Sequence, residues 1–212
     1  MDNYEKIIAQ AKKIFQKARK SHDWDHTRRV SNLCLYMGEI ENADMEVLQL
    51  AAILHDIGRE EQDASEGRVC HAAIGAVMAQ EILEEHGLPG DKIDKVVHCI
   101  ATHRFRGGKA PLSKEAKILF DADKLDAIGA IGIGRAFVFA GEVGAKVHNK
   151  DVDVEQTKAY SEEDTAYREY LVKLRKIKDN ILTAEGKKLA EGRHQFMVGF
   201  FNRLNKEVDG EL

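Results

Sequence analysis

The sequence predicts an all-α protein built as one domain, and three observations carry that prediction. Apolar residues recur at helical spacing through most of the 212 positions. Only two prolines, Pro89 and Pro111, interrupt them. Strand-like runs of Val, Ile, Thr and aromatics are few. The length is enough for a substantial core without disulfides. Apolar residues make up 43% and charged residues 32%, which is globular rather than disordered composition.

The elements follow in order. Ile7, Ile8, Ala11, Ile14, Phe15 and Ala18 share a face, so residues 3–20 read as an amphipathic helix. The stretch 21–25 breaks it and offers N-cap residues. A second helix carries His26, Val30, Leu33, Cys34 and Met37 inward. Asn42-Ala43-Asp44 opens a third that is apolar nearly all round, hence central and buried, with Gly58 read as its C-cap. Residues 59–67 are polar and read as a loop. A helix from about 69 to 86 stops at Gly87, and Pro89-Gly90-Asp91 opens the next. Residues 106–111 are a loop, and Ser113 caps the helix that passes through Ile118, Leu119, Phe120 and Leu125. The glycine-interrupted run 128–139 reads as buried helix, residues 144–165 as a long connection, and 167–182 and 183–208 as two closing helices. The whole chain, 1–212, is then a single domain with a core over 20–130 and a C-terminal helical extension over 145–212.

Composition limits the function. Thirty-two basic against 36 acidic residues give a net charge of −4, which offers nucleic acid no basic stripe. Three widely spaced cysteines suggest neither a disulfide framework nor a zinc motif. The N-terminal stretch MDNYEKIIAQAKKIF lacks the apolar core of a signal peptide, and no apolar run approaches 18 residues. The expectation is a soluble cytoplasmic protein with no membrane partner. The stripe of Phe196, Phe200, Phe201 and Leu204 reads as core or as a homodimer contact.

The histidines are the informative residues. His26 aligns with Val30, Leu33 and Met37, and His55 with Leu48, Ala51 and Ala52. His71 aligns with Ile74, Met78 and Ile82, and His103 with Ile93, Val96 and Ile100. An imidazole on a core face needs a partner, because burying it unpaired is costly. Any one of them alone is satisfied by a backbone carbonyl. Four together, with Asp56 and Asp123, supply what a metal site needs. A His-Asp dipeptide is weak by itself, since nine His and 16 Asp give about 0.7 such pairs by chance, and His22-Asp23 is a second instance. Context adds the weight: a buried run ending in His-Asp-x-Gly, a preceding His-x-x-Arg-Val, and a following Ala-Asp-Lys-Leu-Asp.

These three motifs, DHTRRV (25–30), LHDIG (54–58) and DADKLD (121–126), resemble the signatures of the HD-domain metal-dependent phosphohydrolases. The resemblance covers roughly residues 20–130. The phrase DADKLDAIGAIG (121–132) and the C-terminal TAEG…RHQFM are also similar to small stand-alone bacterial HD hydrolases, some of which split nucleoside triphosphates into monophosphate and pyrophosphate. The resemblance implies an HD-type helical bundle in which His26, His55, Asp56 and Asp123 ligate one divalent metal. Asp121 would be a cap or a group behind the ligands, and Arg29 a structural arginine. Lys124 matches a position that faces substrate phosphate in some relatives. His71 and His103 fall where a longer pattern, H…HD…H…H…D, places two more histidines. There they would bind a second metal or contact a phosphate, or else stand as neutral hydrogen-bonding walls of a single-metal site. One departure concerns the base. Some relatives carry a glutamate three residues after the HD aspartate, where this chain has Arg59, so Glu60 or Glu61 would have to substitute, and Glu60 is the candidate catalytic group.

Two histidines and two aspartates make a hard-to-borderline donor set that suits Mn, Mg, Fe, Co or Ni. Such an ion lowers the pKa of a bound water and polarises a phosphoryl oxygen. Lys124, Arg104, Arg106 and Lys109 are near enough in sequence to neutralise phosphate. The expected substrate is a small phosphorylated metabolite, a nucleotide first, with a (d)NTP cut to monophosphate and pyrophosphate. The alternatives are a 5′-nucleotidase and a non-catalytic, metal-stabilised scaffold for a nucleotide or protein. Competing motifs fail: Gly107-Gly108-Lys109 lacks the rest of a P-loop, and no His-Glu-x-x-His or Gly-x-Ser-x-Gly occurs.

Overall fold

The computed structural model describes residues 3–15, 24–104, 110–151 and 153–212, and among them every regular element is helical. The chain forms two compact units, Met1–Asp123 and Lys124–Leu212. The division falls inside a helix, short of residue 130.

In the first unit, α1 (Asn3–Phe15) buries Ile7, Ala11 and Phe15, one residue per turn. Residues 16–20 of the expected helix, and the His22-Asp23 pair, lie outside the described residues. α2 (Trp24–Glu41) turns His26, Thr27, Val30, Cys34 and Met37 inward. α3 (Met45–Leu54) is the central helix. Asp44 caps it by accepting from the Val47 amide at 3.2 Å, and most of its residues are buried. It packs on α2 and on α6 (Gly90–Thr102), while α5 (His71–Glu85) packs on α6. Gly87, at φ +69°, ends the α5 segment as expected of a C-terminal glycine. Ser113 caps α7 (Lys114–Leu125) by accepting from the Ala116 amide at 3.1 Å.

Two expectations change here. Gly58 is not a left-handed cap, because its φ is −86°. A Cβ there would lie 2.5 Å from the His71 carbonyl oxygen and 2.7 Å from the Gly75 nitrogen, so Gly58 lets α5 approach the turn that carries His55 and Asp56. Residues 59–67 are not wholly a loop. Arg59–Ala64 forms a short helix, α4, from residues of good helix propensity.

The second unit holds α8 (Gly129–Glu142), α9 (Ala166–Val172) and α10 (Ala184–Val208). α8 is continuous despite its glycines and packs on α10. The expected helix over 167–182 breaks at Lys173, whose φ of −135° departs from helical geometry, and continues as a 3₁₀ segment, Leu174–Asn180. The phenylalanine stripe divides: Phe201 is buried and stacks on Tyr170 at 4.4 Å, whereas Phe196 is exposed. Among the described residues no helix is long and apolar enough to cross a membrane.

Candidate active site

Helix ends bring most of the site together. His55 is the C-cap of α3, and Asp56 follows in a tight turn closed by the Arg59 amide donating to the Asp56 carbonyl at 3.1 Å. His71 is the first residue of α5 and His103 the C-cap of α6. His26 comes from the first turn of α2 and Asp123 from the last turn of α7. Side chains at helix ends can converge on one point from several directions, which residues in mid-helix on parallel axes cannot do as readily.

All six are brought together. His26, His55, Asp56, His71 and His103 are each 2% exposed or less, and Asp123 is half-buried. Two triples result, His26/His55/Asp123 and Asp56/His71/His103, in each of which the candidate ligand atoms lie within 4.8 Å of one another. Each could hold a metal ion. Asp56 joins the triples. Its Oδ2 lies 3.6 Å from His26 Nε2 and 3.7 Å from His55 Nε2. Its Oδ1 lies 3.4 Å from both His71 Nε2 and His103 Nε2. His26 Nε2 also lies 3.5 Å from Asp123 Oδ1.

Three of the imidazoles are oriented from behind. His55 Nδ1 donates to the Ala52 carbonyl at 2.8 Å, His103 Nδ1 to the Ile100 carbonyl at 2.6 Å, and His71 Nδ1 to Gln62 Oε1 at 2.8 Å. An oxygen of this kind only accepts, so the proton sits on Nδ1 and the lone pair on Nε2 points inward. His71 Nε2 and His103 Nε2 face each other at 3.2 Å with no proton between them, and His55 Nε2 meets His26 Nε2 at 3.4 Å. Lone pairs converging without a proton suit a cation. The donor set of imidazole nitrogen and carboxylate oxygen suits a divalent first-row ion.

Burial keeps His55 and His71 neutral. It pushes His55 down to about 4, against the opposing pull of Asp56. It pushes His71 down to about 2, again opposed by Asp56 and reinforced by Arg59, His103 and Arg104. A neutral imidazole is the form that ligates metal. Cys34 belongs to the surrounding wall: burial first, then Cys99 and the charges of Asp123 and Asp121, raises its thiol well above the ordinary range.

The other expected residues are placed as follows. Lys124 is buried and directly follows Asp123, and Asp121 is fully buried in the same helix. Glu60 is exposed on α4, and no hydrogen bond or ion pair joins it to the six. The face of α4 toward the site carries Arg59 and Gln62 instead. Arg59 Nε lies 3.0 Å from Asp56 Oδ1. Arg104 donates from Nη1 to Cys70 Sγ at 3.2 Å, while Arg106 and Lys109 lie outside the described residues. Gln62 was missed by reading 59–67 as loop. Placing those residues on a helix puts Arg59 and Gln62, three apart, on one face.

The chain is similar to known proteins over nearly its whole length. The HD domain family matches residues 23–128. YpgQ of Bacillus subtilis is 36% identical over 210 residues, covering 97% of this chain and 94% of YpgQ. The crystal structure of YpgQ in complex with ADP aligns at a TM-score of 0.75 and 32% identity, over 97% of this chain and 94% of that one. An HD-superfamily hydrolase of Bacillus thuringiensis aligns at 0.76 and 31% identity, over 97% and 96%. With the histidines and aspartates of that motif converging as described, the chain belongs to the HD-domain family and is a hydrolase of the HD superfamily.

Proposed function

We propose that the chain is a divalent-metal-dependent phosphohydrolase of small phosphorylated metabolites, with nucleotides as the first class and a nucleoside or deoxynucleoside triphosphate as the first substrate. The observation that carries this reading is the shared carboxylate of Asp56, one oxygen turned to each triple of ligand atoms. The presence of ADP in the YpgQ crystal supports a nucleotide ligand. His26, His55, Asp56 and Asp123 would hold a first ion, and Asp56, His71 and His103 a second; Mn, Mg, Fe, Co and Ni all suit these donors. When bound, such an ion supplies a water of lowered pKa and neutralises charge on a phosphoryl oxygen.

The chain's own groups do the positioning. The Nδ1 bonds to Ala52, Ile100 and Gln62 hold three rings so that no reorientation is needed during reaction. Leu54, Ile57 and Ile100, each buried, set apolar side chains next to the ligand residues. Lys124 would contact phosphate. In the proposed reaction a water oxygen bonds to the α-phosphorus. The bond from that phosphorus to its bridging oxygen breaks, and pyrophosphate leaves with the electron pair. The water's protons pass to solvent, which leaves the monophosphate.

The test is product analysis. Purified protein with Mn2+ is given nucleoside mono-, di- and triphosphates, and the products are resolved by ion exchange. Monophosphate plus pyrophosphate is the expected result. Orthophosphate released from monophosphates would replace the proposal with a nucleotidase. No product with Mn2+, Co2+, Ni2+ or Mg2+ would refute the nucleotide reading.

A further inference from the structure

Arg59 stands where a water-activating glutamate is found in some HD relatives, and its surroundings assign it different work. Its side chain is 18% exposed, and its Nε faces Asp56 Oδ1 at 3.0 Å. Among the described residues its two terminal nitrogens have no hydrogen-bond partner. Arg104 is the second guanidinium on this side. It follows His103 directly, and Nη1 reaches Cys70 Sγ, one residue before His71, at 3.2 Å. Sulfur is a weak acceptor, and among the described residues Arg104 has no carboxylate partner. Both guanidiniums lie close enough to His71 for their charge to act on it. Every member of the Asp56/His71/His103 triple therefore has a guanidinium beside it, in space or in sequence.

Charge then decides what these arginines meet. Resting on the metal-dependent reading above, one divalent ion balances Asp56 and Asp123. The two guanidiniums then add positive charge on this side of the site, and a second ion would add more. Half-buried positive charge of this kind favours an anionic ligand. A monophosphate presents its charged oxygens at the reacting centre alone. A di- or triphosphate carries further charged groups beyond it, and a guanidinium fork binds those in bidentate fashion.

We propose that Arg59 and Arg104 form an anion clamp for the distal phosphates of a polyphosphate substrate and for the pyrophosphate it releases, and so set the preference for polyphosphates over monophosphates. Asp56 orients the clamp through Arg59 Nε and leaves the Nη edge for the ligand.

The experiment needs no turnover. Inorganic pyrophosphate, and separately orthophosphate, is titrated calorimetrically into Mn2+-loaded wild-type protein, Arg59→Gln, Arg59→Lys and Arg104→Gln. Loss of one charge-assisted, bidentate contact is expected to weaken pyrophosphate about 10-fold or more in each glutamine variant. Orthophosphate should change less than about threefold, with Lys at position 59 giving partial recovery. Mn2+ affinity, measured in the same proteins, should stay within about threefold of wild type and reports on the fold and the metal site. In turnover the same variants should raise KM for the triphosphate more than they lower kcat. Unchanged pyrophosphate affinity in both glutamine variants would overturn the clamp. So would parallel losses of pyrophosphate, orthophosphate and Mn2+, which mark a structural role. Failure of the wild-type protein to bind Mn2+ would overturn the metal-dependent reading itself, and failure to bind pyrophosphate once loaded would overturn the clamp alone.

Discussion

The two units differ in how far their buried polar groups reach for partners. In the second unit, several such groups are satisfied close to home. Asp164 accepts from the Tyr160 amide at 2.8 Å and from Arg168 Nη1 at 2.7 Å. Thr165 caps α9 by accepting from the Arg168 amide, and its hydroxyl donates to Asn149. Asp126 accepts from Arg135 at 2.8 Å, and Thr183 caps α10 through the Gly186 amide at 3.1 Å. In the first unit, His55, His71 and His103 are each held on the Nδ1 side by an oxygen of a nearby residue. Their second nitrogens turn toward one carboxylate, that of Asp56. Local pairing between neighbours marks polar groups that hold a fold. Imidazoles and a carboxylate gathered on one point from separate helices mark a candidate binding site.

The sharpest break of that contrast is Asp56→Ala. One carboxylate serves both triples, so its removal is expected to abolish metal retention and turnover together while the helices remain. Metal content by mass spectrometry, product analysis and circular dichroism measure the three quantities. Retained metal in a folded variant would show that the convergence around Asp56 is ordinary packing. Asp126→Ala probes the other unit. It leaves Arg135 without its carboxylate, and because Arg135 keeps partial solvent contact the cost is expected near 2–3 kcal/mol, below that of a fully buried pair. The change should appear as a lower denaturation midpoint, with Mn2+ bound per chain unaltered in the cold. A loss of Mn2+ there would mean that the second unit's polar groups also serve the site.

How much of this was legible beforehand follows the same division. His26, His55, His71 and His103 each sit on an apolar helical face, so periodicity alone turned them inward, and the order of the motifs tied Asp56 and Asp123 to them. The convergence itself was not in the periodicity, which shows the face a residue occupies and not what lies across from it. Gly58 illustrates the limit. As a sequence signal it ends a helix, yet its actual work is to admit the backbone of α5 at His71 and Gly75. Gln62 and Arg59 were hidden for another reason: a six-residue helix is too short to register a period among polar residues. The break at Lys173 carried no glycine or proline to announce it.

The last effect concerns protons, and it probes the buried rings of the first unit by pH. Native His55 titrates near 4 and native His71 near 2, because burial disfavours their charged forms. In the unfolded chain each returns to about 6.5. Below that value the unfolded state binds protons that the native state refuses, so acid draws the equilibrium toward unfolding. Stability from these two rings is complete above pH of about 6.5 and falls as the pH drops toward 4 for His55, and further for His71. The slope cannot exceed about 1.4 kcal/mol per pH unit for each ring. Thermal melts of metal-stripped protein between pH 7.5 and 5 should show it, and His55→Gln should flatten it. Bound metal should steepen it, since a ligating imidazole must be neutral and protons then compete with the ion as well as with the fold. A midpoint that does not move across this range would mean that the rings are not held neutral by the first unit's interior, and the contrast between convergent and locally satisfied groups would lose its electrostatic half.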